Sequence, residues 1–375
     1  MFKHPKSIIS LFLISLILIS CNCNKEKTAT NTTFELTTDK NKKPKNIILL
    51  IGDGMGLSQV SASLFYNDEV SNFERFPVIG LSKTSSSSDL ITDSASGATA
   101  FASGIKTYNG ALGVNTDTTS VKNIVEEVSV KGIATGIIST SSIVHATPAA
   151  FYTHTKSRSM YEDIASQLVS SDIDFFAGGG TTFFNDRRDG KNLIKALEQQ
   201  GFAMNTEKLH PNTAPIFPKK QGYLLAPDGM PKMVEGRGDF LSDATKLALA
   251  NLSKNEEGFF LMIEGSQIDW GGHDNDANYL ITELLDFDKT IGVVLDFAKQ
   301  NGETLVIVTA DHETGGFTLA SDERGDYNNI KPVFSTDGHS ATMVPVFAEG
   351  PESSIFGGIY ENTAIYTKIK SLFLE

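Results

Sequence analysis

The chain has 375 residues, of which 40% are hydrophobic and 21% are charged, and its formal net charge is −13. This composition is typical of a globular protein with one large or two smaller domains. The acidic balance argues against nucleic-acid binding, which requires a basic surface. Both cysteines, Cys21 and Cys23, precede the globular part, which therefore has no structural disulfide and no thiolate metal site.

Residues 1–20 have the pattern of a targeting segment. Lys3 and Lys6 give a basic start, and the apolar run Ile8 to Ile19 is shorter than the roughly 20 residues of a membrane span. The run ends in Leu18-Ile19-Ser20-Cys21, which resembles the lipobox of bacterial lipoproteins. That resemblance implies cleavage before Cys21 and lipid attachment to it, whereas an ordinary secretory signal with an incidental cysteine is the alternative. We expect an extracytoplasmic protein, anchored by lipid to a bacterial membrane.

The folded domain is expected over residues 46–375, after a flexible polar tether at 21–45. Its first element is the apolar run Asn46 to Ile51, which predicts a strand buried on both faces, and a helix is predicted from Leu57 to Tyr66. Asp53 lies between the two, where open α/β sheets bind ligands. A turn residue or a helix cap explains Asp53 equally well.

Strand-like runs and helical patterns alternate along the rest of the chain. The strands are predicted at 78–82, 134–139, 174–177, 258–263, 304–309 and 344–348, and the helices at 120–131, 161–170, 191–200, 243–252 and 279–300. The alternation predicts an α/β fold with a largely parallel central sheet and helices on both faces. The pattern weakens near 181–237, where we expect a small elaboration of the main domain.

Small residues dominate the stretch from Ala95 to Ala102, so a helix there can pack closely against a sheet. Asp93 and Ser94 lie at its start, where free backbone N–H groups and the helix dipole favour an anion. A serine at such a place is either an N-cap or a nucleophile. Composition alone favours the cap, and only partners elsewhere in the chain can favour the nucleophile.

A second polar stretch contains His145, Thr147 and Arg158. Thr147 followed by Pro148 is typical of an N-cap and a first helical residue, so local structure alone explains Thr147. A surface ion pair is the simplest interpretation of Arg158.

Acidic residues and histidines collect after two further predicted strands. Glu264 follows one strand, and Asp269 and His273 come next, four residues apart, so a helical turn would place those two on one face. Two acids with an imidazole are typical of a metal site. Asp311 and His312 follow the other strand, and the last histidine of this group is His339. We expect His154 and His210 to be ordinary helix or surface residues.

Taken in order, these motifs resemble the alkaline phosphatase family from about Asn46 to near the C-terminus. The motifs that carry the resemblance are Ile51-Gly52-Asp53-Gly54-Met55-Gly56, Thr92-Asp93-Ser94-Ala95, Lys106-Thr107-Tyr108-Asn109-Gly110, Ala146-Thr147-Pro148-Ala149-Ala150 and Asp311-His312-Glu313-Thr314-Gly315-Gly316. The resemblance implies that Ser94 is the phosphate-accepting nucleophile and that Arg158 binds the phosphate. It also implies three metal ions. Their ligands would be Asp269, His273 and His339 for one zinc, Asp53, Asp311 and His312 for a second zinc, and Asp53, Thr147 and Glu264 for a third metal, usually magnesium.

These residue types suit phosphoryl transfer. Two cations about 4 Å apart neutralise charge on the entering and leaving oxygens, and one of them favours the alkoxide of Ser94. Mixed Asp/His ligation suits zinc, whereas an oxygen-rich set suits magnesium. The planar fork of Arg158 can bind two phosphate oxygens at once.

Two positions depart from the best-known bacterial pattern of the family. His145 stands where those enzymes often have Asp near the third metal, and Trp270 stands where they have Lys near the phosphate. Both residues resemble variants in other branches of the family. With these two residues, the sequence is compatible with either magnesium or zinc as the third metal.

We therefore expect an enzyme that hydrolyses phosphate monoesters to an alcohol and inorganic phosphate through a phosphoserine at Ser94. A phosphodiesterase or a sulfatase of the same superfamily is one alternative, and a metal- or phosphate-binding lipoprotein without turnover is another. Arg158 together with the Thr147/Glu264 site favours monoesters, and the Cys or Ser followed by Pro and Arg that a sulfatase needs is not evident. The expected partners are small phosphate monoesters and a lipid membrane, and a homodimer is compatible with them.

Overall fold

The computed structural model of the protein describes residues 43–209, 220–322 and 325–374. The predicted signal peptide, Cys21, His210 and the tether up to residue 42 lie outside the described residues. None of the helices in the described ranges combines the length and the apolar character that a membrane crossing requires.

A ten-stranded sheet forms the centre of the protein. In spatial order its strands are β14 (Gly358–Glu361), β2 (Val78–Lys83), β13 (Val344–Glu349), β8 (Thr304–Thr309), β1 (Asn46–Gly52), β7 (Phe259–Gly265), β3 (Ala134–Ser142), β4 (Phe175–Gly179), β6 (Gln221–Leu224) and β5 (Ala203–Asn205). All neighbours pair in parallel except β13, which is antiparallel to β2 and β8. The predicted α/β fold with a largely parallel sheet is confirmed.

Helices cover both faces of this sheet. They are α1 (Leu57–Tyr66), α2 (Ser94–Ser103), α3 (Ile124–Ser129), α4 (Ala146–Ala149), α5 (Tyr161–Val169), α6 (Thr181–Asn185), α7 (Leu193–Gln199), α8 (Phe240–Leu252), α9 (Gln267–His273), α10 (Ala277–Asn301) and α11 (Thr363–Leu374). Two short antiparallel pairs lie outside the sheet: β10 (Thr318–Ser321) with β11 (Ile330–Val333), and β9 (Glu313–Thr314) with β12 (His339–Ser340).

Alternating side chains of the strands divide the core into two halves. In β1, Ile47 and Leu49 pack into the half that contains α2, α5 and α11, whereas Ile48 and Leu50 pack into the half that contains α1, α8 and α10. All four side chains are fully buried. Burial on both faces explains why the central strands are continuous apolar runs and not alternating ones.

Two local predictions were wrong. The helix predicted at 120–131 is only Ile124–Ser129, because Asn123 and Glu126 form a capping box that starts the helix there. Thr147 is not an N-cap, since α4 already begins at Ala146 and the cap position belongs to His145.

The region 181–237, which we expect to be a small elaboration of the main domain, contributes two strands. These strands, β6 and β5, extend the central sheet beyond β4.

The register of the central strands brings the polar segments together. Ile51 of β1 lies beside Glu264 of β7 on one side and beside Thr309 of β8 on the other. Ser139 of β3 lies beside Glu264 in turn. The segments that follow β8, β1, β7 and β3 therefore meet at one edge of the sheet, where parallel α/β proteins bind ligands.

Candidate active site and metal centre

Two histidines and one aspartate form the first polar cluster at this edge. His273 Nδ1 lies 2.6 Å from the Asp337 carbonyl and His339 Nδ1 lies 2.8 Å from the Thr92 carbonyl, so each Nδ1 donates to a carbonyl oxygen and leaves Nε2 facing the cluster. The two Nε2 atoms are only 3.1 Å apart. Asp269 Oδ1 lies 3.4 Å from His273 Nε2 and 3.6 Å from His339 Nε2. Two imidazole nitrogens and a carboxylate oxygen that converge in this way are typical ligands of a metal ion.

These distances fit a zinc ion. Tetrahedral zinc with bonds of about 2.0 Å holds its ligand atoms about 3.3 Å apart. The predicted set Asp269, His273 and His339 is therefore brought together with the spacing of a tetrahedral site. The ring of His339 also stacks on that of His312, with centroids 3.5 Å apart, so the first cluster adjoins the second.

The second cluster is deeper. Asp53 follows β1, Asp311 and His312 follow β8, and all three side chains are 0% exposed. His312 Nε2 lies 3.4 Å from Asp53 Oδ1 and 3.3 Å from Asp311 Oδ2. Neither oxygen of Asp53 has a hydrogen-bond partner, and neither does Asp311 Oδ2. Buried carboxylate oxygens are almost always satisfied in folded proteins, so this set has the character of a cation site.

Burial and like charges shift the acid–base equilibria of this cluster. Burial, reinforced by the charge of Asp311, raises the pKa of Asp53 well above its usual value. Burial, reinforced by Asp269, raises the pKa of Asp311 to about 6. Burial lowers the pKa of His312 well below its usual value, so its ring is neutral and can act as a ligand.

Asp53 is shared with a third cluster, which contains Glu264, His145 and Thr147. Ligand atoms of Asp53, His145 and Glu264 lie within 4.8 Å of one another. Glu264 Oε2 accepts a 2.5 Å hydrogen bond from Ser139, whereas Glu264 Oε1, Thr147 Oγ1 and His145 Nδ1 are buried without partners. Burial raises the pKa of Glu264 to about 7 and lowers the pKa of His145 to about 3. His145 therefore lies among the possible ligands, and not only beside them.

Ser94 is the first residue of α2, and its hydroxyl is not used as a cap. The carboxylate of Asp93 takes that role and accepts a 3.0 Å hydrogen bond from Ser96 N. Ser94 Oγ lies 3.4 Å from His312 Nε2, at the second cluster. Gly97 permits this approach, because a Cβ there would lie 3.0 Å from the Cβ of Asp311. The alternative interpretation of Ser94 as an N-cap is therefore wrong.

Arg158 contacts both Asp93, next to Ser94 in the chain, and His145 of the third cluster. Its Nη1 donates to Asp93 Oδ2 at 3.1 Å, and its Nη2 lies 3.3 Å from His145 Nε2. Burial opposes the ionisation of Asp93, but the Ser96 hydrogen bond and the Arg158 charge outweigh it and lower the pKa of Asp93. Arg158 thus forms a half-buried ion pair with Asp93, the residue before Ser94, and not the simple surface ion pair that its isolation in the sequence favours.

Trp270 packs against His145. The two rings meet edge to face with centroids 5.8 Å apart. Gly229 approaches the indole closely, since a Cβ there would lie 2.7 Å from a ring carbon. Trp270 thus borders the third cluster from the side of the 226–237 loop.

Several residues that support these clusters are not predicted from the sequence. Asp93, the partner of Arg158, was noted only as a residue at a helix entrance. The hydroxyls of Ser139, Ser141 and Ser266 surround Glu264, and they come from the end of β3 and the turn after β7. A run of Ser and Thr at the end of an apolar strand was the available indication. His154, which we expected to be ordinary, bonds to Glu126 and the Gly113 carbonyl away from the clusters.

Most of the chain is similar in sequence to one known family of enzymes. The sequence model described as alkaline phosphatase matches residues 44–330. The chain belongs to the alkaline phosphatase family. It is an enzyme, a phosphatase. The chain is 37% identical over 346 residues to alkaline phosphatase 3 of Bacillus subtilis (strain 168), and the alignment covers 87% of this chain and 72% of the relative. Identity to the alkaline phosphatase of Escherichia coli (strain K12) is 30% over 408 residues, which cover 88% of this chain and 86% of that protein.

A solved alkaline phosphatase has the same fold. The enzyme from the Antarctic bacterium TAB5 superposes with a TM-score of 0.87 and 54% identity, covering 89% of this chain and 98% of that one. A histidine-to-aspartate variant of the TAB5 enzyme, at 53% identity and the same TM-score, has Mg bound in its M3 site. The family and these structures support metal binding and the hydrolysis of phosphate monoesters.

Proposed function

We propose that this alkaline phosphatase hydrolyses phosphate monoesters to an alcohol and inorganic phosphate, with Ser94 as the nucleophile. The observation that carries the proposal is the position of the Ser94 hydroxyl. It is free of capping and lies 3.4 Å from His312 Nε2, which itself faces Asp53 and Asp311. A pure binding protein needs no such hydroxyl beside a cation site.

Three metal ions complete the proposed site. We assign one zinc to Asp269, His273 and His339, a second zinc to Asp53, Asp311 and His312, and a magnesium or zinc ion to Asp53, Glu264 and Thr147 with His145 close by. The orphaned oxygens of Asp53, Glu264 and Asp311 and the buried hydroxyl of Thr147 support these assignments. When bound, the cations would neutralise phosphate charge and lower the pKa of the Ser94 hydroxyl.

The residues of the chain supply the remaining parts of the reaction. The oxygen of Ser94 attacks phosphorus, the bond to the alcohol oxygen breaks, the alcohol leaves with the hydroxyl proton, and a phosphoserine forms. A water oxygen then attacks the phosphorus, the bond to the Ser94 oxygen breaks, a proton of that water restores the Ser94 hydroxyl, and inorganic phosphate leaves. The N-terminus of α2 offers free backbone N–H groups to the phosphate. Arg158, held by Asp93, presents its two terminal nitrogens to the phosphate oxygens.

Monoesters fit this site better than diesters or sulfates. A phosphate monoester carries two negative charges, whereas a diester or a sulfate ester carries one. Arg158, and the cation that Glu264 and Thr147 would help to hold, would add positive charge beyond the two zinc ions, and that addition benefits the more highly charged ester.

We infer that His145 determines which metal binds at the third site and that Trp270 determines how tightly the product phosphate binds. An imidazole next to Asp53 and Glu264 favours zinc, whereas a carboxylate can orient the waters that magnesium keeps. The Mg found in a histidine-to-aspartate variant of the TAB5 enzyme supports this direction. An indole at position 270 leaves phosphate without the ammonium that other bacterial members have there, which favours product release.

The location of the enzyme is a further part of the proposal. We propose that Cys21 is acylated after cleavage and anchors the enzyme outside the cytoplasm, where more than one lipid chain is needed for stable binding. Cys21→Ser should move the enzyme from the membrane fraction to the soluble fraction or block its processing. Recovery of the unaltered enzyme only in the soluble extracytoplasmic fraction would indicate a plain secretory signal. A homodimer stays a prediction, which sedimentation velocity would test.

The test of function compares Ser94→Ala with Ser103→Ala, a buried serine at the other end of the same helix. Metal-loaded proteins are assayed with an aromatic phosphate monoester, a diester and a sulfate ester, with and without chelator. We expect Ser94→Ala to lose about 10³-fold or more of the monoester activity and Ser103→Ala to keep it. Parental turnover by Ser94→Ala would refute the nucleophile, and a preference for the diester or the sulfate would refute the substrate class.

A further inference from the structure

The dipeptide Glu313-Thr314 follows the Asp311-His312 pair directly and has no role in the proposed reaction. It forms strand β9, which pairs antiparallel with β12 so that Thr314 lies beside His339 and Glu313 beside Ser340. The dipeptide therefore touches the segments that carry both proposed zinc sets.

The hydroxyl of Thr314 contacts one proposed ligand from each set. Thr314 Oγ1 lies 2.5 Å from Asp269 Oδ1 and 3.2 Å from His312 Nδ1. The side chain is fully buried, so water does not compete for these contacts. A hydroxyl has one proton to donate, and a carboxylate can only accept. Thr314 therefore donates to Asp269 and accepts from the Nδ1–H of His312.

This hydrogen-bond direction fixes the tautomer of His312. With the proton on Nδ1, the lone pair stays on Nε2, the atom that faces Asp53, Asp311 and Ser94. The same hydroxyl holds the oxygen of Asp269 that lies nearest to His273 and His339. Such partners of metal ligands set ring orientation and ligand basicity.

The backbone around Thr314 is held firmly. Gln59 Nε2 donates to Glu313 Oε1 and to the Thr314 carbonyl, both at 2.9 Å, and Thr314 N donates to the Gly54 carbonyl at 3.1 Å. Glu313 also accepts from Phe317 N at 2.9 Å and from the Ser340 hydroxyl.

Two glycines make room for the threonine side chain. A Cβ at Gly54, which has φ +72°, would lie 2.8 Å from Thr314 Oγ1, and a Cβ at Gly272 would lie 3.0 Å from its methyl group. The position of the hydroxyl is therefore determined by packing on two sides as well as by its backbone.

We propose that Thr314 is a positioning residue shared by the two zinc sets: its hydroxyl orients Asp269 for one zinc and selects the His312 tautomer that can bind the other. This inference rests on the metal sites of the proposed function. It adds that the two sets are coupled through one uncharged side chain.

The experiment compares three variants of the full-length enzyme. Thr314→Val removes the hydroxyl and keeps the shape, and Thr314→Ser keeps the hydroxyl. Thr309→Val is the matched control, because Thr309 is equally buried on the adjoining strand but bonds only to backbone carbonyls. Binding of two equivalents of zinc to metal-depleted protein is measured by competition with a chelator, and the thermal midpoint of each metal-free protein is recorded.

We expect Thr314→Val to weaken both zinc equivalents by about 10- to 100-fold, as loss of a partner of a metal ligand does. Thr314→Ser should bind zinc within a few-fold of the parent. Thr309→Val should match the parent in zinc affinity, while both valine variants change the metal-free midpoint by similar amounts.

Three results would overturn the inference. Parental zinc affinity in Thr314→Val, with only a lower midpoint, would make the threonine purely structural and leave the phosphatase proposal intact. Weakening of only one equivalent would refute the shared role. Failure of the parent enzyme to bind zinc would refute the proposed metal sites themselves, and this inference with them.

Discussion

Two groups of buried carboxylates in the protein differ in where the compensating charge comes from. In one group, Arg237 Nη2 lies 2.5 Å from Glu283 Oε2 and 2.9 Å from Asp286 Oδ2, and all three side chains are at most 2% exposed. The other group is Asp53, Glu264 and Asp311 at the edge of the sheet. Within the described ranges, its carboxylates have no ion pair with a lysine or an arginine, and their neighbours include the neutral rings of His312 and His145.

The difference teaches how to separate a structural cluster from a functional one. Burial raises the pKa of Glu283 and Asp286, and the Arg237 charge opposes that rise. At the sheet edge, burial raises the pKa values of Glu264 and Asp311, and neighbouring carboxylates add to the rise. A buried charge needs a partner. One group contains its cation, and the other is built to receive cations from outside.

Removing the metal ions should have the largest effect on activity and stability. The effect should come from Asp53, Glu264 and Asp311 at the edge of the sheet, and not from the group around Arg237. We expect chelation to abolish monoester hydrolysis and to lower the thermal midpoint by about 10 °C, because ligands at 1,000 times their dissociation constant contribute about 4 kcal/mol. Activity assays and thermal unfolding before and after dialysis measure both, and added zinc and magnesium should restore them. Full activity in the metal-free enzyme would contradict the claim that one group of carboxylates receives its cations from outside.

Arg237→Met should destabilise the protein equally with and without metals. Removing the cation leaves Glu283 and Asp286 as unpaired buried charges, which costs about 3–5 kcal/mol in the free energy of unfolding. Lys289→Met, which breaks an exposed ion pair with Asp239, is the control and should cost less than about 1 kcal/mol. Urea denaturation gives both values. A loss no larger than that of the control would mean that Arg237 does not compensate the buried pair.

The stability of the metal-free enzyme should fall as pH rises. The pKa of Asp311 is raised from 3.8 to about 6 and that of Glu264 from 4.5 to about 7, so the native state binds more protons than the unfolded state between those limits. These carboxyls therefore destabilise the fold progressively from about pH 4 to pH 7, by about 1.4 kcal/mol for each unit of pKa shift. Above that window their contribution is constant.

Urea denaturation of the metal-free enzyme at several pH values between 4 and 8 measures this dependence. Asp311→Asn removes one of the titrating groups and should flatten the curve. An equal slope in the parent and in Asp311→Asn would show that the sheet-edge carboxyls do not titrate as buried, unpaired acids.

Substitutions at the border of the third cluster should have the smallest effects. We expect His145→Asp to shift the bound metal from zinc towards magnesium without loss of activity, as measured by elemental analysis. Adding Trp270→Lys should tighten inhibition by phosphate about fivefold, the equivalent of about 1 kcal/mol for a partly exposed charge contact. An unchanged metal ratio and an unchanged inhibition constant would mean that the two rings only pack against each other.

The central part of the fold could be predicted from the sequence because its strands are buried on both faces. Runs such as Asn46 to Ile51 contain no alternation, and each ends in a polar residue that the parallel register brings to one edge. The strands β5 and β6 were missed because they are short and lie at the margin of the sheet, where hydrophobic patterning is weak.

The proposed ligands could be identified, but the contacts that support them could not. Ser94 and His312 are 218 positions apart, and Thr314 and Asp269 are 45 apart. Such distant pairs leave no periodic pattern in the chain. Thr147 shows the opposite error: Thr-Pro is a sound local indication of a helix start, yet the helix begins one residue earlier and leaves the hydroxyl buried and unpartnered.

The most direct test of the account is anomalous X-ray diffraction from crystals of the active enzyme, recorded on both sides of the zinc absorption edge. We predict two zinc peaks, one between Asp269, His273 and His339 and one between Asp53, Asp311 and His312. Active crystals with no anomalous density at either position, and with those carboxylates paired only to protein groups, would contradict the claim that this cluster is built to receive cations.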